Sequence, residues 1–369
     1  MTDALPVTTD YRQLLLAGVP LLDVRAPVEF QAGSIPGAIN APLLDDQERH
    51  DVGLTYQQAG QEAAVALGHR LIQGEVRAAR LRAWQAFAER HPDGVLYCFR
   101  GGMRSQISQR WLHEETGIRL PRVAGGYKAL RGFLLEQLDQ LPAQLQVRVI
   151  GGRTGVGKTL LLQRLPQILD LEALAWHRGS AFGRHVTPQP TQIDFENRLA
   201  VALLRHLATP APRLLAVEDE SRNVGTRHVP QTLFDHLQAA PLWILEASLE
   251  ERVQNTLQEY VVEALAEHQA ALGGELGWAS WATALTDSLG RIRKRLGGER
   301  YREIDHLLRA AIQAQDSDGD LTGHRAWITR LLSDYYDPMY DYQIGRKAER
   351  IAFRGTAAEI LDAWQREAE

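Results

Sequence analysis

The chain of 369 residues holds a single cysteine, Cys98, so no intrachain disulfide can form and a reducing compartment is the expected setting. It has no run of eighteen apolar residues, and its first stretch, MTDALPVTTDYRQ, lacks a basic start followed by an apolar segment. Neither a membrane span nor a signal peptide is expected, and the expected location is cytoplasmic. None of the four asparagines is followed by lysine, so the guanine-reading Asn-Lys-x-Asp is missing and a GTPase is disfavoured. No internal repeat is present. With a net charge of -5 the chain is not a uniformly basic nucleic-acid binder.

Basic charge is instead local. Residues 98–160 carry ten Lys or Arg against four acids, and RIRKRLGGERYR (291–302) has Glu299 as its only acid. Such stretches suit anionic partners, from small diphosphates to an RNA backbone. Hydrophobic residues make up 44% of the chain and charged ones 24%, the balance of a globular protein, and the length fits two domains.

Short apolar runs at 20–24 (PLLDV) and 95–97 (VLY) alternate with helical spacing, as in Leu81, Trp84, Phe87 and Ala88. The pattern restarts after a connecting helix over 128–142, with strands expected at 145–150, 213–219 and 241–248. Strands alternating with helices predict parallel sheets covered on both faces, so the fold class is α/β with two parallel-sheet domains. After Leu249 strand-like runs vanish and the rest reads as helices. The expected division is 1–135, a linker at 136–142, a second domain over 143–305 and a mainly helical C-terminal segment over 306–369. DSDGD (316–320) resembles a calcium loop, but Arg325 stands where the closing glutamate belongs, so a solvated loop is expected.

Gly152, Arg153, Thr154, Gly155, Val156, Gly157, Lys158 and Thr159 satisfy G-x-x-x-x-G-K-[ST] between an apolar strand and an apolar helix. Glycines let backbone N–H groups curl around phosphate oxygens, the lysine adds a point charge, and Thr159 offers a hydroxyl to magnesium. Asp219, at the end of the next strand, is the candidate metal-side carboxylate, with Glu218 second. The loop grips phosphates whatever they are attached to, so ATP, another nucleotide and a non-nucleotide diphosphate all remain open.

Cys98 opens a second loop, Cys98-Phe99-Arg100-Gly101-Gly102-Met103-Arg104, between a strand and a helix. Inward backbone N–H groups, a helix N-terminus and two arginines favour a thiolate in an anion-binding cradle. That suits chalcogen transfer, and the spacing from Cys98 to Arg104 also suits a cysteine phosphatase.

This loop resembles that of rhodanese domains. So does LLDVRAPVEFQAGSIPGAINAPL (21–43), with Asp23, Arg25, Glu29 and the Gly33–Asn40 turn. A rhodanese-like domain joined to a P-loop NTPase-like domain, together with HRGSAFG (177–183), FEN (195–197), VEDESRNVG (217–225) and YYDPMYDYQ (335–343), resembles the tRNA 2-selenouridine synthases over essentially the whole chain.

The resemblance implies a transferase acting on tRNA with 2-thiouridine at the wobble position. Geranyl diphosphate would alkylate the sulfur, and selenium from selenophosphate would then replace the geranylthio group. No organic prosthetic group and no membrane partner are implied. Cys98 would serve the selenium step, with Arg100, Gly101, Gly102 and Arg104 around the anion. The phosphate loop would hold the diphosphate, and His177, Arg178 and Ser180 would line that site or the tRNA. The alternative is a rhodanese-fold cysteine phosphatase joined to a nucleotide-dependent P-loop domain. A non-catalytic phosphate sensor would need no reactive thiol.

Overall fold

A computed structural model describes residues 4–210 and 214–368, and the chain divides into two compact units. The first takes residues 1–141 and 191–208; the second takes 142–190 and 209–369.

The first unit is built on five parallel strands, β1 (Val7–Thr8), β2 (Leu21–Asp23), β3 (Ile39–Asn40), β4 (Val95–Tyr97) and β5 (Arg122–Val123), in the order β1-β5-β4-β2-β3. Every residue of β2 and β4 is buried, as expected of central strands covered on both faces, and Leu22, Leu96 and Arg122 lie in register across the sheet. Leu22, Trp84, Phe87, Leu96, Trp111 and Leu112 form the core beneath the site, and Cys98 packs in the same cluster.

The segment 136–142, expected as a linker, is the end of the helix Gly126–Gln140 and the turn after it. Its apolar residues Tyr127, Leu130, Leu134 and Leu138 recur at helical spacing and are buried.

The helix Gln192–Ala208, placed by sequence inside the second domain, belongs to the first unit. Asn197 explains why. Its amide donates to Ser34 O at 2.6 Å and its carbonyl accepts from Arg131 at 2.7 Å, while Asp194 accepts from Ser34 N at 2.8 Å. FEN therefore anchors this helix to the 33–40 turn.

The second unit has five parallel strands, β6 (Gln146–Gly151), β7 (Ile168–Leu169), β8 (Leu214–Glu218), β11 (Leu242–Leu245) and β12 (Ile351–Gly355), in the order β12-β11-β6-β8-β7. A small antiparallel hairpin is formed by β9 (Asn223–Val224) and β10 (Arg227–His228). The helical layer starts at Leu249, well before 306, and gathers Tyr260, Trp281, Trp327 and Tyr336 into its own core with Phe182. After it the chain returns as β12 at the sheet edge, followed by the helix Ala357–Ala368. An edge strand with half-exposed alternate residues inside an Arg- and Glu-rich stretch carries little hydrophobic signal, which is why no strand is expected there from sequence.

The first unit's loops turn on one buried pair. Arg25 and Asp23 meet at 2.6 Å with side chains 2% and 0% exposed; Arg25 also donates to Gly33 O at 2.9 Å and stands 3.7 Å from the centre of the Tyr127 ring. Replacing Arg25→Met strands a buried carboxylate and is expected to cost about 3–5 kcal/mol in urea unfolding, much of it recovered by adding Asp23→Leu. A loss below about 1 kcal/mol would show that the pair is not what secures these loops.

Candidate functional site

Cys98 sits at the end of β4, 3% exposed, with its sulfur 3.2 Å from Ser105 Oγ. Ser105, fully buried on the first turn of the helix Met103–Thr116, donates to Gly102 O at 3.0 Å. The same hydroxyl can turn to donate to a thiolate. Spacing arguments based on charge alone pass over this serine.

The loop is clamped from below. Tyr127 N donates to Cys98 O and Lys128 N to Phe99 O, both at 2.9 Å, and Arg122 donates to Gly101 O. Gly126 lies so close that a Cβ there would stand 2.2 Å from Cys98 O, and Gly101, at φ +63°, would place its Cβ 2.7 Å from Gly125 N. Only glycines allow this backbone-to-backbone approach.

The two arginines differ. Arg100 is exposed and makes no ion pair among the described residues; its guanidinium stands 5.9 Å from the Phe99 ring centre. Arg104 is held by Glu29 at 2.5 and 3.1 Å, and Glu29 also meets Arg49 at 3.1 Å. Despite burial, this pairing with Arg104 and Arg49 holds the Glu29 carboxyl below the usual range. Arg104, expected to hold an anion with Arg100, is engaged with the family-signature glutamate, which leaves Arg100 as the open cation of the loop.

In the second unit, Gly152–Thr159 leaves the end of β6 and enters the short helix Lys158–Leu162. Gly155, at φ +75°, has room for no side chain, since its Cβ would stand 2.5 Å from Thr256 Oγ1 and 2.7 Å from Arg252 O. Buried Arg252 donates to Thr154 O at 2.9 Å and pairs with Asp337 at 2.5 Å, while Asn255 donates to Gly155 O at 2.9 Å. Arg153 forms a fork with Asp341, both contacts 2.7 Å. Val156 packs into the sheet core, and Thr159 is exposed.

Around Lys158 stand Glu218, the second candidate from sequence, and two further carboxylates, Glu172 and Glu220. Burial opposes the lysine's charge, but Tyr340, Glu220, Glu172 and Glu218 outweigh it and hold its pKa above the ordinary value. The acids respond in kind. Burial first, then the Glu172 charge, pushes Glu220 up to about 8 and Glu259 to about 7; Glu218, 1% exposed, lies well above the carboxylate range for the same reasons.

Asp219 does not present a free oxygen: Lys347 Nζ contacts both of its carboxylate oxygens at 2.7 Å. Glu218 accepts from Glu172 N at 3.2 Å and keeps its other oxygen buried and unpaired. Among the described residues no group of three or more His, Cys, Asp or Glu is arranged to hold a metal. A magnesium ion there would take Thr159 and Asp219 together with phosphate oxygens and water, with Lys347 sharing Asp219, and no step is routed through a metal.

His177, Arg178 and Ser180, expected to line the phosphate site or the tRNA, each have a partner, the first in its own loop and the other two on the helical layer. His177 accepts from Gly179 N at 3.1 Å, Arg178 meets Glu267 at 2.8 Å, and Ser180 Oγ lies 2.8 Å from Tyr260 OH. Burial, then nearby His185 and Arg184, lowers His177 to about 4, so it is neutral near pH 7. The loop still reaches the acid cluster, because a Cβ on Gly179 would stand 2.0 Å from Glu172 and 2.9 Å from Glu220. It borders the site by its backbone.

A parallel sheet ending in a glycine-built cysteine loop, joined in one chain to a second sheet ending in a phosphate loop, defines a rhodanese-like unit fused to a P-loop unit. A family model described as a rhodanese-like domain matches residues 8–132, and one described as the tRNA 2-selenouridine synthase AAA domain matches 145–369. Relatives described as tRNA 2-selenouridine synthase are similar nearly end to end. That of Cupriavidus pinatubonensis is 52% identical over 98% of each chain, that of Bordetella bronchiseptica 53% over 96% of each, and that of Marinobacter nauticus 50% over 98% of each. The chain belongs to the tRNA 2-selenouridine synthase family.

The raised carboxyls set a pH dependence. Glu220 and Glu259 keep protons in the folded state that the unfolded chain has released above its ordinary value of 4.5, so stability falls as pH rises from there through about 8 and about 7. His177 and His324, both lowered to about 4, act oppositely, adding stability between about 4 and 6.5. Above pH 6.5 the glutamates remain. The unfolding temperature is expected to drop between roughly pH 6.5 and 8.5 and the drop to be shallower in Glu220→Gln; equal slopes would show that Glu220 does not titrate there.

Proposed function

We propose that this chain makes 2-selenouridine at the tRNA wobble position in two steps. The sulfur of 2-thiouridine first attacks the C1 carbon of geranyl diphosphate, the C–O bond breaks, diphosphate leaves and the base loses its N3 proton. The geranylthio group is then exchanged for selenium, so that geranylated tRNA, selenophosphate and water give selenouridine, geranylthiol and phosphate. Alkylation turns a poor leaving group into a better one.

The observation that carries this reading is the pairing, in a chain of this family, of a thiol loop with one open arginine and a phosphate loop with a half-buried lysine. Each suits one anion. The backbone of Gly152–Thr159 and Lys158 would take the diphosphate. Arg100, the N–H groups of residues 100–103 and the turn of the Met103–Thr116 helix would hold the selenophosphate beside Cys98, whose thiolate Ser105 would stabilise. The exposed Arg293, Lys294, Arg295, Arg300 and Arg302, at the junction of two helices around Gly297, offer phosphate contacts for tRNA. A cytoplasmic setting, where tRNA and a reduced thiol coexist, follows from the same reading. The family match over both units favours it above the phosphatase alternative.

Mass spectrometry of tRNA nucleosides after incubation with geranyl diphosphate and selenophosphate tests the assignment of steps. Cys98→Ala is expected to geranylate normally and to lose selenation, by about a hundredfold or more, whereas Lys158→Met loses geranylation. Selenation retained in Cys98→Ala would reject the role of the thiol. An aryl phosphatase activity abolished by Cys98→Ser, with tRNA untouched, would support the alternative.

A further inference from the structure

The first unit contains a cavity of about 1120 Å³ that the two-step reading does not use. One end is formed by the cysteine loop, through Phe99, Arg100, Met103 and Arg104. From there its walls are mainly apolar, with Leu44, Val52, Val65, Ile72, Ile107 and Trp111, and His50, Gln57, Gln61 and His69 among them. A loop that only passed a chalcogen anion to a thiol would need the cations and not this hollow.

The segment Asp46–Leu71, two helices meeting at a non-helical Gly60 with φ +82°, forms the long wall and buries only Ala64 among its 26 residues. Its apolar side chains are left half-covered or open, with Leu54 44% exposed and, across the cavity mouth, Met103 39% exposed. Gly53 lines the cavity within the helix, a position where glycine weakens the helix, and a Cβ built on it meets no atom within 4 Å. Packing against the protein does not call for glycine there. Gly53 is exposed at the cavity, and a side chain there would enter open space that the glycine leaves free.

The occupant is specified by the two ends. A ligand must be apolar and extended along the helix, and at the loop it must present a group that reacts beside Cys98 among Arg25, Arg49, Arg100 and Arg104, against the one acid Glu29. The volume exceeds what a ten-carbon chain fills and leaves room for a base, in the range of pockets that enclose small ligands, about 300–1,000 Å³ and somewhat beyond.

We infer that this cavity binds the geranyl chain of S-geranyl-2-thiouridine in tRNA and so lays the C2–S bond against the cysteine loop. The inference rests on the two-step reading above. It assigns recognition of the alkylated base to the rhodanese-like unit itself, so that the unit distinguishes a base ready for exchange from one not yet alkylated.

The test uses the full chain and two anticodon stem-loops, one carrying 2-thiouridine and one its S-geranyl form, with affinity read by fluorescence anisotropy. Wild type is expected to prefer the geranylated loop by at least about tenfold, the worth of roughly two buried methylenes. Gly53→Leu, which improves the helix while filling the cavity, and Val65→Trp are expected to bring that preference to within about threefold, with Gly53→Leu unfolding no lower than wild type. A stem-loop with a photoreactive geranyl analogue is expected to label peptides from 46–71 and 103–111. A preference unchanged in both variants, or labelling confined to other peptides, would overturn the assignment. Failure of the wild-type protein to form geranylated or selenated nucleosides would instead count against the two-step reading, so the two failures are told apart.

Discussion

The cysteine loop is held by a close backbone approach, where Gly126 meets the carbonyl of Cys98 and the nitrogen of Gly101 with no room for a side chain. Because the amides of Tyr127 and Lys128 then close on the carbonyls of Cys98 and Phe99, the helix beginning at Gly126 fixes the loop from beneath and leaves its outer N–H groups to face a ligand. The same helix carries Arg131, which binds Asn197 and Glu196 of the returning helix, and Tyr127, whose ring covers Arg25. The loop, the 33–40 turn and the returning helix are thus one hydrogen-bonded assembly. A reactive thiol can be held in place with little side-chain machinery of its own.

The phosphate loop is secured differently. Its glycines meet side chains and the backbone of the helix Leu249–Leu257, and the anchor is buried Arg252, which reaches both Thr154 O and Asp337. Asp337 and Asp341 come from the YYDPMYDYQ stretch, so that motif, whose tyrosines Tyr335 and Tyr336 pack on the helical core, supplies two carboxylates to arginines that shape the loop. A segment far along the chain thereby controls the geometry of Gly152–Thr159.

Both loops were legible from sequence because each is a contiguous string whose residue types are dictated by backbone geometry. What was not legible depends on residues distant in the chain. Glu172 and Glu220 approach Lys158 only after β7 and β8 pair, and nothing near Glu172 marks it apart from its place in a short capped helix. Lys347 reaches Asp219 across 128 positions, an ion pair that no local spacing announces. The Gln192–Ala208 helix shows the same limit at a larger scale. Its hydrophobic periodicity announces a helix but not the unit whose surface it covers, and that choice rests on Asn197 and Ile193 meeting Ser34 and Gly33. Arg104 has the spacing from Cys98 of an anion clamp, and its partner Glu29 lies in the upstream signature that the same reading had already picked out.

The acids around Lys158 bear on how such a site could accept a diphosphate. Three ionised carboxylates beside the lysine would repel the incoming anion, and in a partly buried site that repulsion is weakly screened. Glu220 at about 8 avoids part of it by remaining largely protonated near neutrality, Glu218 is shifted in the same direction, and Glu259 at about 7 is about half protonated. An anion held by Lys158 would raise these carboxyls again, so binding draws protons into the site. The lysine then keeps its charge for the ligand instead of losing it to its neighbours.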